Sequence, residues 1–454
     1  MLKALTRVKP VSAGDNNAKP GETGLKRVLT ARHLIFLGIG VVIGAGIFIL
    51  TGQAAATYAG PAVTISFVLA SLTCALAGLC YAEFSAMLPL SGSAYAYAYA
   101  ALGEGVAWLI AWCLVLEYLF SAATVSIGWS AYTQSFLTHT LGLDFPHALS
   151  TATLAWEKGR FVFSGAIVDL PACLLIVGLS WVLYRSVSQT ARLNSIMVVV
   201  KLVVVLLFVV FACAYVNPAN WHPFMPKNTG PGEFGWPGVI RAATIAFFSY
   251  IGFDAVSTAA GETKNPQRNV PIGILGSLAL CTLLYVSVCL VLTGLVPYPE
   301  LNTVRPVATA LSHYPQLSWL RVAVEIGAVA GLFSVVMVLL MAQSRIFYTM
   351  AKDGLVPSFL GKVHRKYNTP YLGTVVVGVL ATVLAGLLPI SVLGALVSMG
   401  TLLAFATVCI GVLVLRYTQP ELERPFRVPA AKVIAPLEPW PACICSSRRF
   451  PSIG

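Results

Sequence analysis

Acidic residues are scarce: the 454-residue chain has 17 Asp and Glu, and charged residues of both signs make up only 10% of it against 57% hydrophobic. A soluble domain carries roughly 25% charged residues, so this composition, with mean hydropathy +0.82, excludes an ordinary soluble protein. Histidine is rare too, at six, and no Cys and His stand at zinc-like spacing. Neither a metal nor a cofactor is expected. Of ten cysteines, eight fall in apolar runs and two, Cys443 and Cys445, in the C-terminal tail, so no disulfide is expected. The spans also lack a Ser with His and Asp, paired aspartates or a metal cluster, which speaks against an intramembrane enzyme.

Long uncharged apolar runs are what the chain does have. About 20 such residues cross the roughly 30 Å hydrocarbon core as a helix. Ten runs qualify, near 34–53, 61–84, 104–127, 164–184, 194–216, 238–260, 271–296, 322–344, 371–389 and 392–415. The first follows a polar, basic segment and has no small-residue cleavage site, so it reads as a span, not a signal peptide. Lys and Arg collect in cytoplasmic loops. With both termini inside, 22 basic residues fall on the inner side and five on the outer. The formal net charge of +12 is therefore a topology signal. Without an aromatic-interleaved basic patch, no nucleic-acid partner is expected.

Two runs are interrupted. The first reads "GIGVVIGAGIFILTG" at 38–52, with five glycines where each costs about 1 kcal/mol relative to alanine in a helix; the sixth reads "FFSYIGFDAV". Ten spans divide into five and five, and the breaks fall at corresponding positions of the halves. Such pairing points to an inverted-repeat secondary transporter with its site where two broken helices meet. Close helix packing through the GxxxG pair Gly40 and Gly44 is the alternative for the first break taken alone.

Four stretches then carry a family likeness: "GIGVVIGAGIF", "YAEFSAMLPLSGSAYAYAYAALGE", "FFSYIGFDAVSTAAGETKNPQRNVPIGI" and "AQSRIFYTMAKDGLVP", spread over residues 25–430. The chain resembles amino-acid permeases of the amino acid, polyamine and organocation superfamily, nearest the bacterial relatives of cationic amino-acid transporters. The resemblance implies an all-α membrane protein of leucine-transporter type, with a five-plus-five inverted repeat and discontinuous first and sixth helices. It divides the chain into a cytoplasmic tail at 1–33, a first repeat at 34–216, an outside linker at 217–237, a second repeat at 238–416 and a cytoplasmic tail at 417–454. It also implies multi-pass insertion in the cytoplasmic (inner) membrane.

A broken helix at membrane depth needs something polar for its freed backbone groups, and a zwitterionic amino acid supplies it. The half-helix starting near Ala45 would offer the amides of Ala45, Gly46 and Ile47 to a carboxylate at its positive end, with Gly44 and Gly46 clearing the approach. By resemblance, carbonyls of Val42, Phe248, Ser249 and Ile251 would hold the ammonium group.

Two deep charges complete the expected site. Lys201, a third of the way along "MVVVKLVVVLLFVV", is a costly buried ammonium and a candidate proton carrier; the resemblance has it reach the first span's backbone, with Ser334 as its second partner. A purely structural lysine is the alternative. Glu117 in "LVLEYLF" is expected by resemblance near the substrate side chain, where it would favour cationic substrates or join the proton route, with Phe253 beside the break lining the same pocket; a carboxyl bonded between helices is the bland reading. Asp254, after the second break, is expected to cap the following half-helix. Phe48, Phe248, Tyr250 and Phe253 surround the breaks as gating or packing aromatics.

The expected activity is proton-coupled amino-acid symport by alternating access, with the amino acid, protons and the lipid bilayer as partners. Cationic amino-acid or amine exchange, or a non-transporting sensor or inactive product, are the alternatives. The resemblance implies two further spans after "ERPFRVP", yet the tail "AAKVIAPLEPWPACICSSRRFPSIG" holds no apolar run of 18. It is expected to be truncated or frame-shifted, leaving core surface or a homo-oligomer contact uncovered.

Overall fold

The computed structural model describes residues 8, 27–44, 46–88, 92–138, 142, 146–157, 160–185, 187–230, 232–303 and 305–429. It is mostly helical, and each of the ten apolar runs coincides with helix. The first run is α1 (Ala31–Val42) followed, after a break, by a helical stretch over 46–59. Next come α2 (Val63–Met87), α3 (Ser93–Ala101), α4 (Glu104–Phe136), α5 (Leu170–Arg185) and α6 (Val187–Cys213). The sixth run is α7 (Gly235–Phe248) and the short α8 (Ala255–Thr258). After it come α9 (Pro266–Leu295), α10 (Pro306–Ser312), α11 (Ser318–Lys352), α12 (Tyr371–Leu387) and α13 (Ile390–Thr418). Strands β1 (Leu154–Glu157) and β2 (Arg160–Phe163) form one antiparallel hairpin before α5.

Six helical stretches among the described residues are long and apolar enough to cross a membrane, and α1, α5 and α12 are shorter apolar helices. Polarity is arranged inside out. On α6 the exposed residues Val199, Val203, Leu206 and Val210 recur every three or four positions, one helical face made for lipid. Glu83, Glu117, Lys201, Asp254, Glu262 and Arg345 are buried instead. In a bilayer the helices gain no hydrophobic energy from one another, so these polar contacts and close packing between helices hold the bundle. Helix α9 packs against α1 and α2, and α4 against α11 and α13.

Several boundaries differ from the apolar runs. Helix α1 begins at Ala31, and the residues before it pair with the far end of the second break: Val28 and Leu29 amides donate to the Glu262 carbonyl at 2.9 and 3.0 Å. Arg345, counted in the sequence as an inside-loop cation, lies within α11 and is buried, because that helix continues to Lys352. Helix α3 is unforeseen: "SAYAYAYAA" alternates with the period of a strand yet folds as a helix. The tail from residue 430 onward lies outside the described residues. The described segment just before it, 419–429, folds back against α13, where Arg416 and the Val428 amide both reach buried Glu83 of α2, at 2.5 and 2.7 Å.

Candidate functional site

The first break is backbone geometry imposed by neighbours. Helix α1 stops at Val42, Ile43 turns extended (φ −78°, ψ 97°), and helix resumes at Gly46. Ala45 lies outside the described residues. A Cβ on Gly44 would stand 2.7 Å from Val335 Cγ2 of α11, and one on Gly46 would stand 2.5 Å from both the Tyr285 hydroxyl and Ser249 Cβ. The packing alternative is also present one turn earlier, where a Cβ on Gly40 would meet Asn194 Oδ1 at 2.5 Å. Gly46 and Ile47 open the helical stretch 46–59, and amides of a first turn have no partner within their own helix.

The second break faces the first. Helix α7 ends at Phe248, residues 249–254 run through turns, and α8 follows. Gly252 has φ +100°, and a Cβ there would meet Val41 Cγ2 at 2.5 Å, so glycine is required both by conformation and by the approach of α1. The structure therefore brings Val42, Gly44, Gly46 and Ser249 together. The Phe248 carbonyl accepts from the Ile251 amide at 3.3 Å. Ser249 is 5% exposed, and its hydroxyl has no hydrogen-bond partner among the described residues.

Tyr285 of α9 joins the two breaks. Its hydroxyl lies 2.9 Å from the Val42 carbonyl and 2.9 Å from the Ser249 carbonyl, and its ring stacks on Phe67 with centroids 5.0 Å apart. Sequence reading missed it. A signal was available: Ser277, Cys281 and Tyr285 recur every four residues, which puts three polar side chains on one face of an apolar helix.

Lys201 is fully buried and its ammonium is fully partnered. It donates to the carbonyls of Gly40 (2.9 Å) and Ile43 (2.7 Å) on the first span and to Ser334 Oγ (2.9 Å) on α11. Ser334 Oγ lies 3.0 Å from the Gly40 carbonyl and 2.8 Å from the Gly331 carbonyl. Three helices thus meet at one nitrogen, directly behind the first break.

Glu117 is buried, neither carboxylate oxygen makes a hydrogen bond of ordinary geometry among the described residues, and the Thr401 hydroxyl and Asp254 are its polar neighbours. Asp254 stands at the N-cap position of α8, as the sequence leads one to expect, but its side chain does not cap the helix. It accepts instead from the Tyr118 hydroxyl and, at 3.5 Å, from Ser93 Oγ. The adjacent tyrosine of α4 out-competes the local backbone because burial leaves a carboxylate no water and the phenol is the stronger donor within reach. Tyr81 and Tyr97 hydroxyls are likewise buried without partners among the described residues. Phe253 sits in an aromatic group with Tyr81 at 5.9 Å and Phe405 at 5.1 Å. Phe48 packs against the α11 glycine at 331, and Tyr250 against Tyr285.

Two broken helices meeting around buried donors and acceptors can hold a small molecule bearing one anionic and one cationic group. The amino acid permease family model matches residues 29–445. The branched-chain amino acid permease BcaP of Bacillus subtilis is 46% identical, over 92% of this chain and 87% of that protein. The methylthioribose transporter of the same organism is 44% identical, over 95% and 90%. Vacuolar cationic amino acid transporter 4 of Arabidopsis thaliana is 36% identical, over 92% and 68%.

Proposed function

The chain belongs to the amino acid permease family, and on that premise we propose that it is a proton-coupled symporter carrying amino acids across the cytoplasmic membrane, with both termini inside. The observation that carries the reading is the meeting of the two breaks, Gly46 against Ser249, with Tyr285 bonded to both. The substrate carboxylate takes the amides of residues 44–47 at the start of the outer half-helix, where the dipole favours an anion. The ammonium takes the carbonyls of Val42, Phe248, Ser249 and Ile251. Spans one to five and six to ten form two inverted repeats that rock around this point, alternately opening it to either side.

Lys201 is the proton carrier in this reading, and Ser334 is what allows it two states. As an ammonium, Lys201 donates three hydrogens to two carbonyls and the Ser334 oxygen. As a neutral amine it keeps the two carbonyls, and the serine hydroxyl turns to donate to the nitrogen. Neither state strands a buried polar group, so protonation can follow the membrane gradient while the lysine's bonds to Gly40 and Ile43 tie it to the first break.

The side chain points toward Glu117 and Phe253. A branched-chain substrate, by analogy with BcaP, uses the aromatic wall of Phe253. A second reading, exchange of cationic amino acids or amines, draws on Glu117, whose buried carboxylate, with no basic residue bonded to it among the described residues, suits a cationic side chain. Uptake of labelled leucine into proteoliposomes, with and without an inward proton gradient and with arginine as competitor, decides between them. Gradient-driven leucine uptake supports symport. Uptake that ignores the gradient and needs internal arginine supports exchange. Absence of both in folded protein overturns transport by this chain.

A further inference from the structure

At one end of the bundle, away from the breaks, a groove of about 560 Å³ opens between the first turns of α9 and the segment that follows α13. Pro271, Ile272, Leu275 and Gly276 line one wall and Pro425 and Phe426 the other, with Gln267 and Arg268 at the mouth. Among the described residues, Arg268 is the sole charged lining residue and no carboxylate lines the groove. It is exposed, in the first turn of a 30-residue helix, so the positive end of the helix adds to its field. Lys264, also exposed, precedes that turn.

Below the mouth, the α9 face continues through Ile272, Gly276, Leu280 and Leu283, and the three large residues are 41%, 45% and 64% exposed. Eleven residues of helix rise about 16 Å, close to the roughly 15 Å of one leaflet. Gly276 keeps the slot shallow and open: a Cβ there would already press on Ile35 of α1 at 3.3 Å. A cationic head above an apolar slot one leaflet deep matches an amphiphile with an anionic head.

We propose that this groove holds an anionic glycerophospholipid, its phosphate against Arg268 and one acyl chain along Ile272, Gly276, Leu280 and Leu283. The assignment rests on the membrane-embedded reading of the helices and on no feature of the transport site. Its place at the end of α9 that also carries Lys264 puts the lipid in the inner leaflet. Lipid seated there braces α9, whose far half supplies Tyr285 to the breaks.

The test uses the full chain in nanodiscs of phosphatidylglycerol or phosphatidylcholine with identical acyl chains, with a photoreactive phenylalanine analogue in place of Ile272. The expected result is cross-linking to lipid, several-fold stronger with phosphatidylglycerol. Arg268→Gln should cut the phosphatidylglycerol preference measured by native mass spectrometry by about five-fold, the effect of one cation at the surface. The equally exposed Arg365→Gln should leave it unchanged. Equal yields with both lipids overturn the proposal, as does cross-linking to residues 430–454, which would make the chain's own end the occupant. Leucine uptake plays no part in these readouts, so a failure here and a failure of symport are separate results.

Discussion

Arg345 of α11 and Glu262, just past the second break, form an ion pair 2.8 Å long with side chains 1% and 0% exposed. Both the Nε and one terminal nitrogen of Arg345 donate to the same Glu262 oxygen, and the second terminal nitrogen donates to Ser344 Oγ. The Glu262 carbonyl at the same time receives the amides of Val28 and Leu29 ahead of α1. One acidic residue thus ties both broken spans to α11 on the side opposite the outer stretch 46–59.

Removing either partner strands a buried charge, at a cost of about 3–5 kcal/mol. Glu262→Gln and Arg345→Gln should each lower the thermal unfolding midpoint in detergent by several degrees, and the exchange Glu262→Arg with Arg345→Glu should recover part of it. Unchanged midpoints would show that the pair is not carrying the contact.

Lys201→Met keeps the volume and removes every donor. Leucine should still bind, while accumulation driven by a proton gradient falls at least ten-fold. Counterflow and gradient-driven uptake measured on the same vesicles separate the two effects; undiminished accumulation would remove Lys201 from coupling.

Gly46→Ala places a methyl 2.5 Å from the Tyr285 hydroxyl and Ser249 Cβ. Overpacking of this kind costs about 1–3 kcal/mol, and because the clash lies between the breaks, uptake should fall more than stability does. Binding isotherms beside melting curves check this.

Glu117→Gln retains size and removes the charge. If the carboxylate selects the side chain, arginine should lose its ability to compete with labelled leucine by about ten-fold while leucine's own half-saturation stays within two-fold. Equal loss for both would place Glu117 in the proton route instead.

The breaks were legible because glycines and a lysine are costly in an apolar helix and therefore conspicuous. The positions of Gly44, Gly46 and Lys201 could be read that way, Ser334 came from the family resemblance, and the structure places Lys201 on Ser334 beside the first break. Tyr285 was only half legible: its four-residue recurrence with Ser277 and Cys281 marks a polar helix face, but a tyrosine in a span reads equally well as packing, and only the fold reveals the two carbonyls at its hydroxyl. Asp254 misled for a related reason: its sequence position says helix cap, but Tyr118 is 136 residues away in the chain and no local pattern announces it. Arg345 was hidden by its position at the edge of an apolar run, where charge normally marks the end of a span.

The Tyr285 hydroxyl carries a single hydrogen, and it stands between two carbonyls at equal distance. At full strength it serves the first broken span or the sixth, and shared between both it serves each weakly. Whichever carbonyl it leaves must draw a hydrogen from elsewhere, and a primary ammonium arrives with three. In the transport reading proposed above, the substrate ammonium is a donor that serves both carbonyls together, and the tyrosine is the toggle that makes way for it.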